Sequence, residues 1–175
     1  MMVSDVAFVQ ALRADEMTFT VASPKEVVVA AWRTFSTRDP SRIEACFTKD
    51  AVWLVPFRNA TALALGDHET RGMDRQQIAH FIANDFGRIF VADVKVDVLR
   101  LFGDGDVVIL EQRTRATLAN GRSYCNDYCF IIKVRDGRIA LIREYMDTLS
   151  GFRQVFGEEA VKPVEPIVRP ARTAR

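Results

Sequence analysis

The chain of 175 residues lacks the features that mark several large classes of protein. It has no stretch of about eighteen apolar residues, the length that a membrane-spanning helix needs, so no membrane partner is expected. Its 24 lysine and arginine residues almost balance 23 acidic ones, and a net charge of +1 argues against a nucleic-acid-binding surface. Acidic residues come early and no basic segment precedes an apolar one, so a secretory signal is not predicted.

Cysteine and histidine are also scarce. The three cysteines, Cys46, Cys125 and Cys129, show no disulfide spacing, which is typical of reduced thiols in a cytoplasmic protein. The only histidines are His68 and His80, and no cysteine or carboxylate stands at a ligand spacing from them, so no metal site is predicted. A glycine-rich phosphate loop and a Gly-x-Ser-x-Gly motif are both missing, and we expect no cofactor.

Helical signals come first along the chain. The motif SPKE at residues 23–26 combines a capping box with an N-terminal proline and predicts a helix over about residues 24–37. Asp39, followed by a proline, begins a short second helix. Apolar residues at helical spacing predict a third helix over about residues 73–89.

Strand signals dominate the rest. Residues 51–56 read as a strand that ends at a proline, and residues 58–71 as a loop with room for one short strand. Asn120-Gly121 and Asp136-Gly137 are the dipeptides preferred in two-residue hairpins. They lie between the second and third and between the third and fourth strands of a predicted four-stranded meander. Its strands cover residues 91–102, 107–118, 122–134 and 138–148.

This order of elements indicates an α+β fold, with three N-terminal helices packed on one face of a curved antiparallel sheet. We expect one domain over residues 23–157, after an N-terminal extension over residues 1–22. The segment 158–175 is rich in proline and arginine, which excludes regular helix and central strand. It is either a disordered tail or an extended arm on a neighbouring molecule, and apolar residues such as Ile167 favour the arm.

The capped helix, FTKDAVWLVP and the closing DGRIALIREYMD resemble the SnoaL-like branch of the nuclear-transport-factor-2-like (NTF2-like) superfamily, over about residues 24–156. The resemblance implies a cone-shaped, cystatin-like fold, a pocket between the helices and the concave sheet face, and a homodimer. We expect that homodimer to form through the outer sheet face and the C-terminal arm. The superfamily includes polyketide cyclases, ketosteroid isomerase, limonene-epoxide hydrolase and the phenazine-biosynthesis A/B proteins, and also members without catalytic activity.

The active sites of two of these relatives match only in part. The resemblance places the base, the tyrosine and the second acid of ketosteroid isomerase near Val55, Ala31 and Cys129, so all three groups are missing. It also places Trp53 and Val55 where limonene-epoxide hydrolase has Tyr and Asn.

The last predicted strand matches better. The resemblance aligns Glu144 with the last-strand aspartate of limonene-epoxide hydrolase and with a functional glutamate of the phenazine A/B proteins. These proteins also resemble the segments SYCNDY and REYMDTLSGFR. The arginine and the other aspartate of the hydrolase align near Glu111 and Arg113. Two acids and one arginine are therefore present here as in the hydrolase, but they occur in a different order.

Glu144 is the main catalytic candidate, because a carboxylate among apolar strand residues is costly unless it is paired or used. Its burial would raise its affinity for a proton and suit it to acid or base catalysis. Strand alternation leaves open which sheet face is concave. The resemblance favours the even-numbered face around Tyr128 and the odd-numbered face around Glu111.

On that interpretation, Arg113 would stabilise a developing enolate and Tyr128 would donate a hydrogen bond. The alternatives are an ion pair between Arg113 and Glu144, or a solvent-exposed Glu144. Glu111 fits an exposed strand position as well as a pocket. The predicted substrate-binding wall is mainly aromatic and consists of Trp32, Phe35, Trp53, Val55, Phe57, Asn126, Phe130 and Met146.

These candidates predict a cofactor-independent enzyme that performs acid/base chemistry next to a carbonyl. Isomerisation, aldol-type cyclisation or dehydration of an aromatic or alicyclic ketone in an apolar pocket would fit. A non-catalytic ligand-binding or dimeric partner protein is the alternative. An epoxide hydrolase is a third possibility, weakened by the missing first-strand asparagine.

Overall fold

The computed structural model describes residues 22–158. Nearly all of the predicted N-terminal extension and of the predicted C-terminal arm lies outside these residues. The helices are α1 Pro24–Phe35, α2 Pro40–Ala45, α3 Ala60–Ala64, α4 Arg75–His80, α5 Phe86–Ile89 and α6 Thr148–Phe156. The strands are β1 Phe47–Leu54, β2 Gly72–Asp74, β3 Phe90–Asp104, β4 Val107–Leu118, β5 Ser123–Arg135 and β6 Arg138–Met146.

Polar side chains fix where the helices begin, as their sequence motifs predict. Ser23 caps α1, and Glu26 reaches back to the backbone N–H of Ser23 at 2.7 Å, which completes the capping box. Asp39 caps α2 by accepting from the backbone N–H of Arg42 at 3.1 Å. These caps satisfy backbone donors that the first helical turn leaves unpaired.

The α+β class is confirmed, although the number of helices is not three. One turn of helix, α3, occupies part of the predicted loop, and α6 follows the sheet, where Asp147 caps it. The third predicted helix is not α-helical throughout: α4 continues through a π-helical turn, Phe81–Asp85, into α5. No helix in residues 22–158 is both long and apolar enough to cross a membrane.

The six strands form one sheet in the order β2-β1-β6-β5-β4-β3. All neighbouring strands are antiparallel except β1 and β6, which run parallel. The predicted antiparallel meander is confirmed over β3 to β6, and the parallel pairing of β1 with β6 is an exception within the predicted antiparallel sheet. The pairing brings Trp53 of β1 beside Ile142 of β6 and so next to the predicted catalytic strand.

The core lies between the helices and one face of the sheet. In β4 and β5 the even-numbered residues are mostly buried, whereas the odd-numbered ones mostly face outward. Side chains from α1, α2, α4 and the sheet close the core, and its fully buried members include Val28, Ile43, Phe47, Ile78, Leu110, Ile132, Ile139 and Ile142. This packing holds the concave sheet face at a fixed distance from the helices.

Candidate active site

A cavity of about 680 Å³ lies between the helices and the concave face of the sheet. Such a volume suits a small molecule of one or a few rings. Aromatic side chains from the helices and from the strands make up much of its wall, and they include Trp32, Phe35, Trp53, Phe81, Phe86, Phe90, Tyr128 and Phe130. The wall therefore has many flat apolar surfaces, with polar side chains from the helices and the sheet between them.

Glu144 lies in this wall, on β6 opposite Phe130 of β5. Its Oε2 atom accepts a hydrogen bond of 2.9 Å from Nε1 of Trp53. The indole ring of Trp53 packs edge-on against Phe130, with 5.9 Å between the ring centroids. Glu144 thus keeps contact with the cavity, while aromatic rings shield its carboxyl group from most of the bulk water.

Burial is the main influence on the ionisation of Glu144. It raises the pKa of the carboxyl group from its ordinary 4.5 to about 7, although the Trp53 hydrogen bond favours the charged form. Among the described residues, no basic side chain forms an ion pair with Glu144. Near neutral pH the group can therefore both accept and release a proton.

Tyr128 is the second predicted catalytic residue that lines the cavity. Its ring stacks on Phe130 with an interplanar angle of 4°, and its hydroxyl lies 2.5 Å from that of Tyr124. Burial raises the pKa of Tyr128 well above its ordinary value, and the nearby negative charge of Glu144 adds to the effect. The hydroxyl consequently stays protonated and remains a hydrogen-bond donor.

A short hydrogen-bonded chain orients this hydroxyl. The amide nitrogen of Asn126 donates to the hydroxyl of Tyr124 at 3.3 Å and to the carbonyl of Asp147 at 2.9 Å. Between the hydroxyl groups of Tyr124 and Tyr128 either oxygen can be the donor, because each phenol can both donate and accept. When Tyr124 is the donor in this pair, the hydrogen of Tyr128 is free to point toward a ligand.

Two buried polar residues on β4 also line the cavity, and the sequence analysis missed them. Gln112 accepts from Nε1 of Trp32 at 2.7 Å and donates to the hydroxyl of Thr114 at 3.2 Å. Both side chains are more than nine-tenths buried. The alternation of β4 could have revealed them, because Gln112 and Thr114 share the face of the buried residues Val108 and Leu110.

The structure places Arg113 and Glu111 on the outer face of the sheet, so their predicted position in the pocket is wrong. Arg113 forms a two-pronged ion pair with Asp127, with N···O distances of 2.6 and 2.7 Å. Glu111 pairs with Arg100 at 3.0 Å. The alternative of an ion pair between Arg113 and Glu144 is excluded by the same geometry.

The connection between β4 and β5 explains this error. A two-residue turn at Asn120-Gly121 would pair odd residues of β4 with even residues of β5. Instead the N–H of Leu118 bonds to the carbonyl of Arg122, so three residues form the turn and Gly121 takes a φ of 80°. Adding one residue to a turn shifts the register by one and moves each side chain to the other face.

The predicted substrate-binding residues divide into two groups. Trp32, Phe35, Trp53, Val55 and Phe130 all line the cavity. The other three do not line it, and their predicted contact with substrate is therefore corrected: Phe57, Asn126 and Met146.

Each of these three has another role. Phe57 is 42% exposed and packs under the guanidinium of Arg71, whose Cζ is 4.0 Å from the ring centroid. Asn126 donates hydrogen bonds to the hydroxyl of Tyr124 and to the carbonyl of Asp147. Met146 packs against Gly151 of α6, where an added Cβ atom would lie 3.0 Å from its methyl group.

Arg38, between α1 and α2, is a cavity-lining cation that no sequence pattern indicated. Its Nη1 atom donates to the carbonyl of Ile82 at 2.5 Å, and its Cζ atom lies 4.3 Å from the ring centroid of Phe86. Partial burial lowers the pKa of its guanidinium, which nevertheless remains fully charged at neutral pH. Asp85 and His80 line the cavity on the same helical side.

Within residues 22–158, no three His, Cys, Asp or Glu side chains come together as a set of metal ligands. His80 is largely exposed, with 66% of its side chain accessible, and its Nε2 atom is 3.5 Å from Asp85. His68 is exposed in the loop before β2.

Several solved structures share this architecture. An NTF2-like protein of unknown function from Burkholderia pseudomallei K96243 superposes with a TM-score of 0.64 at 18% identity, over 77% of this chain and 99% of that one. The proposed polyketide cyclase IdmH from Streptomyces antibioticus gives 0.62 at 21% identity, over 77% and 99%. An LEH-like epoxide hydrolase from M. tuberculosis gives 0.57 at 19% identity, over 78% and 92%. At such identities the likeness shows a common fold.

None of the curated proteins is similar enough in sequence to count as a match. The profile of the SnoaL-like domain, however, matches residues 28–142, which is more than half of the chain. The resemblance noted in the capped first helix and the closing strands is confirmed by this match and by the shared fold. The chain therefore belongs to the SnoaL-like family.

Proposed function

We propose that this protein is a cofactor-independent enzyme that transfers a proton next to the carbonyl of an aromatic or alicyclic ketone. One observation carries the proposal: Glu144 is a carboxyl group without an ionic partner among the described residues, it borders an aromatic cavity, and its pKa is about 7. A general base or acid is most effective when its pKa lies near the working pH.

The chemistry follows from the groups around Glu144. The ionised carboxylate removes a proton from the carbon next to the carbonyl, and the C–H electron pair moves into an enolate. Tyr128 donates a hydrogen bond to the enolate oxygen, and Gln112 is a further donor in the cavity wall. In an unsaturated ketone the enolate is conjugated with a C=C bond, and the protonated Glu144 then returns the proton to the far carbon of that system, which is isomerisation. Where the enolate carbon instead attacks a second carbonyl, Glu144 gives the proton to the alkoxide oxygen formed, which is cyclisation.

The cytoplasm is our proposed location, because Cys46, Cys125 and Cys129 are all free thiols. The epoxide-hydrolase alternative loses its main support, since Arg113 and Glu111 cannot form an acid–arginine–acid set with Glu144 from the outer face. A hydrogen-exchange experiment distinguishes an enzyme from the alternative of a non-catalytic ligand-binding protein.

The test is exchange of α-hydrogens of 1-tetralone, cyclohexanone and 2-acetylnaphthalene in D₂O, followed by NMR. We expect the wild type to accelerate exchange of at least one ketone, and Glu144→Gln to lose about a hundredfold or more of that rate. Glu111→Gln is the matched control, an acid-to-amide change on the outer face, and should keep the wild-type rate.

Exchange that is equal in the wild type and Glu144→Gln would contradict the proposal. If the ketones also raised the melting temperature of both proteins, the non-catalytic ligand-binding function would be favoured instead. Loss of exchange in Glu111→Gln as well would point to a general effect on folding.

A further inference from the structure

We infer that Arg38 is a specificity-determining residue that binds an anionic oxygen group of the substrate, so that the substrate is a ketone that also bears a carboxylate. The inference rests on the proposed function, because it assigns the second end of the ligand whose carbonyl end lies at Glu144. The role given to Arg38 is recognition of the substrate, so the proton-transfer chemistry of Glu144 does not depend on it.

The position of Arg38 is defined by backbone and side-chain contacts. Its φ of 56° lies in the left-handed region, which is strained for a residue with a Cβ atom. The guanidinium is then held by the Ile82 carbonyl and by the face of Phe86. A held guanidinium needs little ordering when a ligand arrives, which favours specific binding.

The acidic side chains of the cavity wall do not neutralise this cation. Asp85 accepts from Nη1 of Arg88 at 2.9 Å and lies near His80. Asp67 accepts from the backbone N–H groups of Glu69 and Thr70. Glu144 bonds to Trp53.

Arg38 therefore has unused bonding capacity. A guanidinium carries five N–H donors in a planar fork, and only one hydrogen bond from it is formed by the described residues, to Ile82. A partly buried cation without a counter-ion is unfavourable, and a carboxylate can pair with the fork through two parallel bonds. A ligand carboxylate would supply the counter-ion that residues 22–158 do not give to Arg38.

Arg38 and Glu144 lie on different walls of the cavity, the helical wall and the sheet wall. A carboxylate would be repelled by ionised Glu144 and attracted by Arg38, so the two charges orient the ligand in one direction. The carbonyl end then faces Glu144 and Tyr128, while aromatic rings enclose the middle of the molecule. The inferred substrate class is an aromatic or alicyclic keto acid.

Calorimetric titration with two probes of nearly equal shape tests this inference. The probes are 2-naphthoate, which carries a carboxylate, and 2-acetylnaphthalene, which carries a neutral ketone in the same place. Titration at about pH 6 keeps most of Glu144 protonated, given its pKa of about 7, and so limits its repulsion of the anion. The proteins are the wild type, Arg38→Gln, Arg38→Lys and Arg33→Gln.

We expect the wild type to bind 2-naphthoate about tenfold or more tightly than the neutral ketone, the effect of a charge-assisted hydrogen bond. Arg38→Gln should lose this preference, and Arg38→Lys, which keeps the charge, should retain part of it. Arg33, on the exposed side of the last turn of α1, is the control, and Arg33→Gln should behave as the wild type.

An equal preference in the wild type and Arg38→Gln would overturn the inference and leave Arg38 a structural residue. Binding of the ketone alone by the wild type would also overturn it, while it agreed with the proposed function. Binding of neither probe would count against both proposals. Melting temperatures measured for all variants identify any that fail to fold.

Discussion

At the scale of the residue, the environment of Glu144 holds two opposing influences on its charge. Aromatic neighbours exclude water and favour the neutral acid, whereas the indole N–H of Trp53 favours the carboxylate. Burial is the stronger influence, and the resulting pKa of about 7 allows both forms at neutral pH. A carboxyl group that is held by a neutral donor can change its charge without breaking an ion pair.

The raised pKa predicts that Glu144 destabilises the folded protein at alkaline pH. Between about pH 4.5 and 7 the folded state holds the proton and the unfolded state does not, so the free energy of unfolding falls as the pH rises. Glu144→Gln removes this penalty and keeps an acceptor for Trp53. Denaturant unfolding at about pH 8 should show the variant to be more stable, by up to about 3 kcal/mol.

At about pH 4 the two proteins should be equally stable, because both states of the wild type are then protonated. The control, Glu111→Gln, changes an acid that is partly exposed and paired with Arg100, and its effect should be small at both pH values. A Glu144→Gln variant that is several kcal/mol less stable at alkaline pH would show that the carboxylate is a structural partner.

At the scale of the element, the turn between β4 and β5 decides which side chains face the cavity. Three residues in this turn place Gln112 and Thr114 inside and Arg113 outside. The turn depends on Gly121, whose φ of 80° is strained for any residue with a Cβ atom.

Gly121→Ala should therefore destabilise the protein by about 1 to 2 kcal/mol. The space around the position is open, so the cost comes from the backbone. Gly87→Ala is the matched control, since that position is also open, has an ordinary helical backbone and lies within α5. It should be neutral or stabilising by up to about 1 kcal/mol. Equal effects of the two substitutions, measured by denaturant unfolding, would contradict the role given to the turn.

Much of the fold and part of the site could be predicted from the sequence. Glu144 was identified because an acid among apolar strand residues is unusual, and the capping motif at Ser23 located the first helix. The face of Arg113 was predicted wrongly, because the family resemblance was given more weight than the alternation of β4, and because the turn after β4 has three residues where Asn-Gly indicates two. Arg38 was missed because its environment comes from Ile82 and Phe86, which are distant in sequence.

At the scale of the whole molecule, the outer sheet face carries an apolar cluster that we define as Phe102, Ile109 and Ile131. The register places these three side chains next to one another across β3, β4 and β5, and each is at least 37% exposed. Ion pairs such as Arg113–Asp127 present both charges on the same face. A second copy, related by a two-fold axis, could cover the cluster and oppose unlike charges.

The homodimer accordingly stays a prediction, now with a defined surface. Light scattering after size exclusion should give the mass of a dimer for the wild type and of a monomer for Ile109→Lys. Val98→Lys is the control, because Val98 is exposed by 54% but belongs to the opposite face of the sheet. A monomeric wild type, or an Ile109→Lys dimer, would contradict this use of the outer face. The C-terminal arm lies outside the described residues, and its part in the dimer also stays a prediction.

The pH dependence of α-hydrogen exchange tests the central claim most directly, namely that Glu144 is the proton-transferring group. The rate should rise with pH as Glu144 ionises, with a midpoint near its pKa of about 7, and should then level off. The corresponding rise should be missing in Glu144→Gln. A midpoint near 4.5, the ordinary value for glutamate, or an identical profile in the variant would contradict the account.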